Sequence, residues 1–208
     1  AYLAAAILYL ADTQRGRHIH VFMPYADALR ETSDWFVQLW AESLGKTPQV
    51  GPTPLRAVGA TDQHSLVQLL MEGPHDKFTV LVRIERSRAD LPLPRGWMDQ
   101  GDVAYLGGHT MQELLTVEHQ ATAAALAKAG RPSITLRAPA LTPRVMGELL
   151  MFWEIATALA GGLYGVNPFD QPGVEAGKQF IGGLLSRPGY EMYKAELEQR
   201  PPDPRWIV

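Results

Sequence analysis

Apolar and polar residues follow two different periodic patterns along the chain, which predict alternating helices and strands. Three short runs rich in β-branched and aromatic residues, HIHVFMPY, KFTVLVRIE and PSITLRAP, predict strands. Longer stretches rich in helix-forming residues, such as AYLAAAILYLAD at the amino terminus, predict helices between them. KFTVLVRIE is almost continuously apolar, as expected of a strand buried on both faces of a parallel sheet. We therefore predict a doubly wound α/β sandwich with a parallel sheet.

Capping residues, glycines and prolines mark where the predicted helices begin and end. Ser33 or Asp34 is expected to cap the helix DWFVQLWAESL, which ends before Gly45. Thr61 is expected to cap the next helix, DQHSLVQLLMEG. The segment 45–60 between these helices contains three prolines and three glycines, so we predict a loop there.

Composition narrows the class of protein. The 208 residues carry a net charge of −3, which argues against a nucleic-acid-binding protein because such proteins usually present a basic surface. Cysteine is absent, which excludes disulfides and a cysteine nucleophile and suits a cytosolic protein. The most apolar stretch, ELLMFWEIATALAGGLYGV, contains Glu154 and a glycine pair, so we predict a buried helix rather than a membrane span. The chain begins at Ala1 rather than Met, as expected of a piece of a longer protein.

Two residues near predicted helix ends are candidates for proton transfer. Glu42 lies near the C-terminal end of its helix, where the helix dipole opposes a negative charge, and this suits a general base that works near neutral pH. His64 lies in the first turn of the next helix, where the dipole favours a neutral, proton-accepting imidazole. Spacing alone favours simpler alternatives: a surface Glu42 that pairs with Lys46 one turn later, and a His64 that only packs.

The pair of histidines in HIH is a candidate metal site. His18 and His20 are expected to point to one face of a strand, and two imidazoles at that spacing can bind a metal ion. No third potential ligand follows at a sequence spacing typical of metal sites, so a metal site is disfavoured.

The stretch VNPFDQPGVEAGKQF combines a predicted helix start with several polar side chains. Pro172 fits the first turn of a helix, with Asp170 or Gln171 as the cap. Gln171, Glu175 and Lys178 then lie at positions i, i+4 and i+7, along one helix face. This face is either a ligand-binding face or a solvated face with a Glu–Lys pair.

Three segments together resemble the phosphoglucose isomerase (glucose-6-phosphate isomerase) family, in the order and at roughly the spacing found there. NPFDQPGVEAGK resembles the C-terminal signature of that family. WFVQLWAESLGK is similar to its segment with the catalytic glutamate, and GATDQHSLVQLLMEG to its segment with the ring-opening histidine. YLGGHTMQELLTVEHQAT and LLSRPGYE are similar to the bacterial branch, and the resemblance covers nearly the whole chain.

The resemblance implies a fold and a division of the chain. Residues 1–165 would form the second sugar-isomerase (SIS) type domain of the family, a three-layer αβα sandwich, and residues 166–208 a C-terminal helical arm. The first SIS domain, which holds the serine- and threonine-rich phosphate loop and a Gly-Gly-Arg segment, has no counterpart in this sequence. We therefore expect this chain alone to contain a partial, inactive site.

The resemblance also implies roles for four residues. Glu42 would move a proton between C2 and C1 of the sugar through a cis-enediol, and His64 would assist ring opening from the partner subunit of a homodimer. Lys178 would bind near the ring oxygen, and Gln171 would contact the sugar phosphate. The reaction would need no metal or other cofactor and would belong to cytoplasmic glycolysis and gluconeogenesis. Two alternatives stay open: a non-catalytic SIS-type module that binds sugar phosphates and regulates a partner, and an isomerase for a related sugar phosphate such as mannose 6-phosphate.

Overall fold

The computed structural model describes residues 1–96, 99–199 and 205, and the chain forms two compact units, Ala1–Pro168 and Phe169–Val208. Four strands form the sheet of the first unit: β1 Ile19–Tyr25, β2 Thr53–Arg56, β3 Lys77–Arg86 and β4 Ser133–Ala140. The helices of that unit are α1 Tyr2–Arg15, α2 Arg30–Leu44, α3 Gln68–Glu72, α4 Gly101–Ala104, α5 Met111–Lys128 and α6 Pro143–Tyr164.

The sheet is parallel throughout, with the strand order β2-β1-β3-β4. Side chains of α1, α2 and α6 pack on one face of the sheet, and side chains of α3 and α5 pack on the other. β3 lies in the interior of the sheet, and its residues up to Val82 are buried, as its apolar run predicts. The predicted three-layer α/β sandwich with a parallel sheet is confirmed.

An aromatic cluster fills the layer between the sheet and α2 and α6. Phe22 of β1 stacks on Phe36 of α2 with 4.7 Å between ring centroids, and Phe36 stacks on Trp40 at 5.6 Å. Trp153 of α6 meets Phe36 edge-on at 4.8 Å. All four side chains are fully buried, and rings of this size bury roughly 150–250 Å² each, so the cluster fixes α2 against the sheet.

The prediction of a loop over residues 45–60 is wrong, because this segment contains β2. Prolines argue against an interior strand, but β2 is an edge strand, where the missing backbone donor of Pro54 is tolerated. The predicted cap of α2 is also wrong. A 3₁₀ turn at Asp27–Leu29 leads into the helix at Arg30, and Ser33 is buried inside it. The end of α2 before Gly45 is confirmed.

The segment predicted as one helix capped by Thr61 has a different start. A π-helical turn, Gln63–Val67, precedes α3, and Asp62 rather than Thr61 occupies the N-cap position. The carboxylate of Asp62 accepts a hydrogen bond from the backbone N–H of Val58 at 2.8 Å, which braces the turn from the preceding loop. The end at Gly73 is confirmed.

Within the described residues, α6 is the one helix long and apolar enough, by length and composition, to cross a membrane. Its inner side carries Trp153, Ala156 and Ala160 into the core, so the prediction of a buried helix holds for that side only. Its outer side exposes Met151 and Ile155, so burial covers one side of the helix only.

The second unit is a pair of short helices, α7 Glu175–Leu184 and α8 Glu191–Glu198. Phe180 of α7 meets Tyr193 of α8 edge-on at 6.1 Å between ring centroids. Gly182 lies against the ring of Tyr190, where a Cβ atom would approach a ring carbon to 2.7 Å, so glycine permits the close packing. The predicted C-terminal arm also includes the proline-rich end of the sequence, which falls largely on residues 200–204 and 206–208, outside the described residues.

Candidate functional site

Glu42 lies near the C-terminal end of α2, as predicted, at the amino edge of the sheet. Trp40, half a turn earlier, donates a hydrogen bond from its indole Nε1 to Nδ1 of His20 at 3.0 Å, close to the start of β1. The Glu42 side chain is partly exposed, and its Oε2 accepts a hydrogen bond from the Gln38 amide at 3.3 Å. Gln38 stands four residues before Glu42, so helical spacing could have identified it as a neighbour of the candidate base.

His64 is exposed in the π-helical turn after β2, at the carboxyl edge of the sheet. The preceding residue, Gln63, fixes this turn: its amide donates to Tyr25 Oη at 2.8 Å and to Thr122 Oγ1 at 3.0 Å. Tyr25 ends β1, and Thr122 belongs to α5. Burial raises the pKa of Tyr25, so its hydroxyl stays protonated over the physiological range. The sequence carries no periodic signal for the role of Gln63.

The ring of Tyr25 is held between two neighbours. A Cβ atom at Gly59 would lie 2.6 Å from carbons of this ring, so only glycine fits there without a shift. On another side, His119 meets the ring edge-on at 5.1 Å between centroids. Burial, and secondly the nearby charge of Arg83, lower the pKa of His119, which favours the neutral imidazole. The turn that carries His64 is therefore held by Tyr25, whose ring is closely packed on these sides.

Glu42 and His64 lie at opposite edges of the sheet and on elements that cover opposite faces. α2 packs with the cluster that contains Phe22, whereas residues of the π-helical turn pack with the cluster that contains Tyr25. His20 and Tyr25, which mark the two edges, are five residues apart on β1, or about 16 Å along a parallel strand. A single copy of the chain does not bring the two predicted catalytic residues together.

Lys178 and Gln171 belong to the second unit. Lys178 Nζ lies 2.7 Å from Glu175 Oε1, and both side chains are more than half exposed, at 58% and 55%. Gln171 is exposed at the cap position before a 3₁₀ turn at Pro172–Val174, but its side chain makes no capping hydrogen bond. The α-helix begins only at Glu175, so the predicted helix start at Pro172 is a 3₁₀ turn instead.

The two histidines of HIH have separate partners. His20 is buried, and burial lowers its pKa to about 4, so the ring is neutral at pH 7 and accepts the hydrogen bond from Trp40. His18 precedes β1, and its Nδ1 lies 2.5 Å from Asp12 Oδ1. Asp12 also accepts a hydrogen bond from Tyr164 at 2.6 Å. No group of three or more histidine, aspartate or glutamate side chains that could hold a metal ion occurs in the described part of the chain.

Comparison with known proteins places these residues in a family. The family model for phosphoglucose isomerase matches residues 2–198. A glucose-6-phosphate isomerase from Rubrobacter xylanophilus is 52% identical over 190 residues, which are 91% of this chain and 44% of that protein. A glucose-6-phosphate isomerase from Carboxydothermus hydrogenoformans is 43% identical over 215 residues, covering 100% of this chain and 46% of the relative.

Solved structures agree in fold. A hypothetical protein from Thermus thermophilus superposes with a TM-score of 0.80 at 41% identity, over 88% of this chain and 44% of that chain. A glucose-6-phosphate isomerase from Chlamydia trachomatis superposes with a TM-score of 0.77 at 25% identity, over 95% of this chain and 41% of that chain. The chain thus spans less than half the length of the relatives that it matches. Because the family model covers nearly the whole sequence, this chain belongs to the phosphoglucose isomerase family.

Proposed function

We propose that this chain is part of a cytoplasmic glucose-6-phosphate isomerase, which interconverts glucose 6-phosphate and fructose 6-phosphate in glycolysis and gluconeogenesis. The observation that carries the proposal is the family match over residues 2–198, together with 52% identity to a relative named for this activity. The segments around Glu42, His64 and Lys178 all lie inside the matched range.

The proposed mechanism is proton transfer between two neighbouring carbons of the open-chain sugar. The Glu42 carboxylate removes the proton from C2 while the carbonyl oxygen on C1 gains a proton, and the electron pair forms the cis-enediol. The 2-hydroxyl then loses its proton, and Glu42 returns its proton to C1, which gives the ketose. No electrons are gained or lost overall, so the reaction needs no redox cofactor.

Ring opening is assigned to His64 and Lys178. His64 exchanges a proton with the ring oxygen or its neighbouring hydroxyl, and its exposed side chain is accessible to a ligand or to a second copy of the chain. Lys178 places its ammonium near the ring oxygen, and Gln171 contacts the sugar phosphate. The pair formed by Lys178 and Glu175 is solvent-exposed, and such pairs contribute only about 0–1 kcal/mol, so Lys178 can leave Glu175 for a substrate at small cost.

A homodimer follows from the same assignment. Glu42 and His64 lie at opposite sheet edges within one chain, so a site that uses both must take them from two copies. An isologous dimer with two-fold symmetry makes two such sites at once. The chain alone lacks a segment recognisable as a phosphate loop, so we propose that it does not turn over substrate without the rest of the protein.

The Glu42→Gln variant of the whole protein tests the proposed activity. Its carboxamide cannot accept the C2 proton, so kcat should fall by about 10²–10⁴-fold, and exchange of the C2 hydrogen with solvent deuterium should stop. Glu31→Gln, an exposed residue in the first turn of the same helix, is the matched control and should keep kcat. Unchanged turnover in Glu42→Gln would show that Glu42 is not the base of this reaction. A wild-type protein that binds sugar phosphate without isomerising it would favour the non-catalytic module.

A further inference from the structure

A cleft of about 440 Å³ opens at the amino edge of the sheet, between α1 and the loop that joins α5 to β4. Phe78 at the start of β3 and Pro132 just before β4 line it on the side of the sheet. It contains neither Glu42 nor His64. The volume is within the range of small-molecule sites, so the cleft can hold a small ligand.

The polarity of the cleft changes along α1. Ile7 and Leu10 line its apolar end, and Leu10 is 43% exposed, so apolar surface is open to solvent there. Arg15, in the last turn of the same helix, and Arg17, just beyond it, line the other end. Ile7 and Arg15 are eight residues apart, which is about 12 Å along an α-helix. A ligand that spans the cleft therefore needs an apolar body and, at one end, a group that pairs with arginine.

The arginine end of the cleft is held in place and has donors to spare. Nη1 of Arg17 donates hydrogen bonds to the backbone carbonyls of Arg15, at 2.7 Å, and of His75. Within the described residues, the Nε atom of Arg17 is buried and has no hydrogen-bond partner. A buried donor without a partner is rare in folded proteins and often marks a bound water or ion. An acceptor brought by a ligand is therefore favoured at this end.

The charges around the cleft favour an anion. The C-terminal ends of α1 and α5 bring roughly half a negative charge each to this edge. Lys128 lies in the last turn of α5, and Arg131 stands between two residues that line the cleft. Together with Arg15 and Arg17 they supply four full positive charges, which outweigh the two helix ends.

The two carboxylates closest in sequence to the lining residues of the sheet edge and of the arginine end have partners of their own. Asp12 contacts His18 and accepts a hydrogen bond from Tyr164 at 2.6 Å. Asp76 forms an ion pair with Lys77. No carboxylate of the described residues forms an ion pair with Arg15 or Arg17, so both guanidinium charges are available to a ligand.

We propose that this cleft binds a medium-chain fatty acid, with its carboxylate at Arg15 and Arg17 and its chain along Leu10 and Ile7. Guanidinium groups pair with carboxylates through two parallel hydrogen bonds, which fixes the head of the ligand. The chain is stabilised in proportion to the apolar area that it removes from water. The proposal does not rest on the isomerase assignment, because it uses none of the residues assigned to that reaction and concerns binding rather than turnover.

Titration calorimetry of the whole protein with octanoate tests the proposal. Octanoate should bind with a Kd of about 1 mM or tighter. Hexanoate, which is two methylene groups shorter, should bind about tenfold more weakly, and acetate should not bind measurably. Octanol keeps the chain without the charge and should bind at least about tenfold more weakly than octanoate.

Two matched double variants locate the site. Arg15→Gln with Arg17→Gln should weaken octanoate binding about tenfold or more. Arg86→Gln with Arg144→Gln is the control, since it removes two positive charges from exposed residues at the carboxyl edge of the sheet, and it should keep the Kd of the wild type.

A further variant keeps the test decisive if the double variant of Arg15 and Arg17 does not fold. Leu10→Glu retains both arginines but places a carboxylate at the exposed apolar end, so octanoate binding should be lost through repulsion and loss of apolar contact. Equal binding by the wild type and either of these variants would overturn the proposal. Equal binding of octanol and octanoate, or no saturable binding of octanoate to the wild type, would overturn it as well.

Discussion

Trp40 donates a hydrogen bond from its indole Nε1 to Nδ1 of His20 at 3.0 Å, and this bond ties α2 to the amino end of β1. It requires a neutral imidazole, because a protonated ring has no acceptor nitrogen. Burial is the main reason why the pKa of His20 is lowered to about 4. The position of Glu42, two residues beyond Trp40, therefore depends on a buried histidine that stays uncharged.

Acid should destabilise the protein through His20. The unfolded state takes up a proton near pH 6.5 and the folded state only near pH 4, so between these values the unfolded state binds more protons. Protonation of His20 therefore leaves the free energy of unfolding almost unchanged above pH 6.5. Below that value the free energy of unfolding decreases with the pH, by about 2 kcal/mol at about pH 5. Urea unfolding at about pH 7.5 and about pH 5 measures the loss.

His20→Asn keeps an acceptor for Trp40 but cannot titrate, so its stability should fall less between the two pH values than that of the wild type. His64→Asn makes the same chemical change at an exposed position and should behave like the wild type. An equal loss of stability in His20→Asn and the wild type would show that the pKa of His20 is not lowered in the folded protein.

Gly59→Ala should destabilise the first unit. The new methyl group would lie 2.6 Å from the ring of Tyr25, and relieving such overpacking typically costs about 1–3 kcal/mol. Gly147→Ala in α6 is the matched control: a Cβ there meets no atom within 4 Å, so the helix should gain up to about 1 kcal/mol. Urea unfolding measures both, and a Gly59→Ala variant as stable as the wild type would contradict the packing described for Tyr25.

The hydrogen bond between Gln63 and Tyr25 should appear as a coupling energy. The single changes Gln63→Ala and Tyr25→Phe each remove one partner of the 2.8 Å contact, and the double variant removes both. A double-mutant cycle of unfolding free energies should give a coupling of about 1 kcal/mol. Gln68→Ala, an exposed glutamine of α3, should show no coupling with Tyr25→Phe. Strict additivity for Gln63 and Tyr25 would mean that this bond does not hold the turn of His64.

The sequence predicted those features that depend only on the residue pattern within a single helix or strand. The apolar run of β3, the end of α2 before Gly45 and the position of Glu42 near that end all follow from periodicity and helix breakers. The edge strand β2 was not predictable in this way, because its prolines are tolerated only at an edge, which depends on the whole sheet.

The candidate site shows the same limit. The spacing predicted that His18 and His20 point to one face, but in the structure His18 contacts Asp12 and His20 bonds to Trp40. Both partners are distant in sequence or on another element, so periodicity cannot reveal them. The separation of Glu42 and His64 to opposite edges likewise follows from the crossover of the chain between β1, β2 and β3, and from no local motif.

Mixing two inactive variants of the whole protein tests the central proposal, a site shared between two copies, most directly. Glu42→Gln and His64→Asn should each be nearly inactive as homodimers. In a mixed dimer, one of the two sites combines the intact Glu42 of one copy with the intact His64 of the other. Statistical reassembly of equal amounts should therefore recover about a quarter of the wild-type kcat. No recovery from a mixture shown to contain mixed dimers would mean that both residues act within one copy, and would contradict the account.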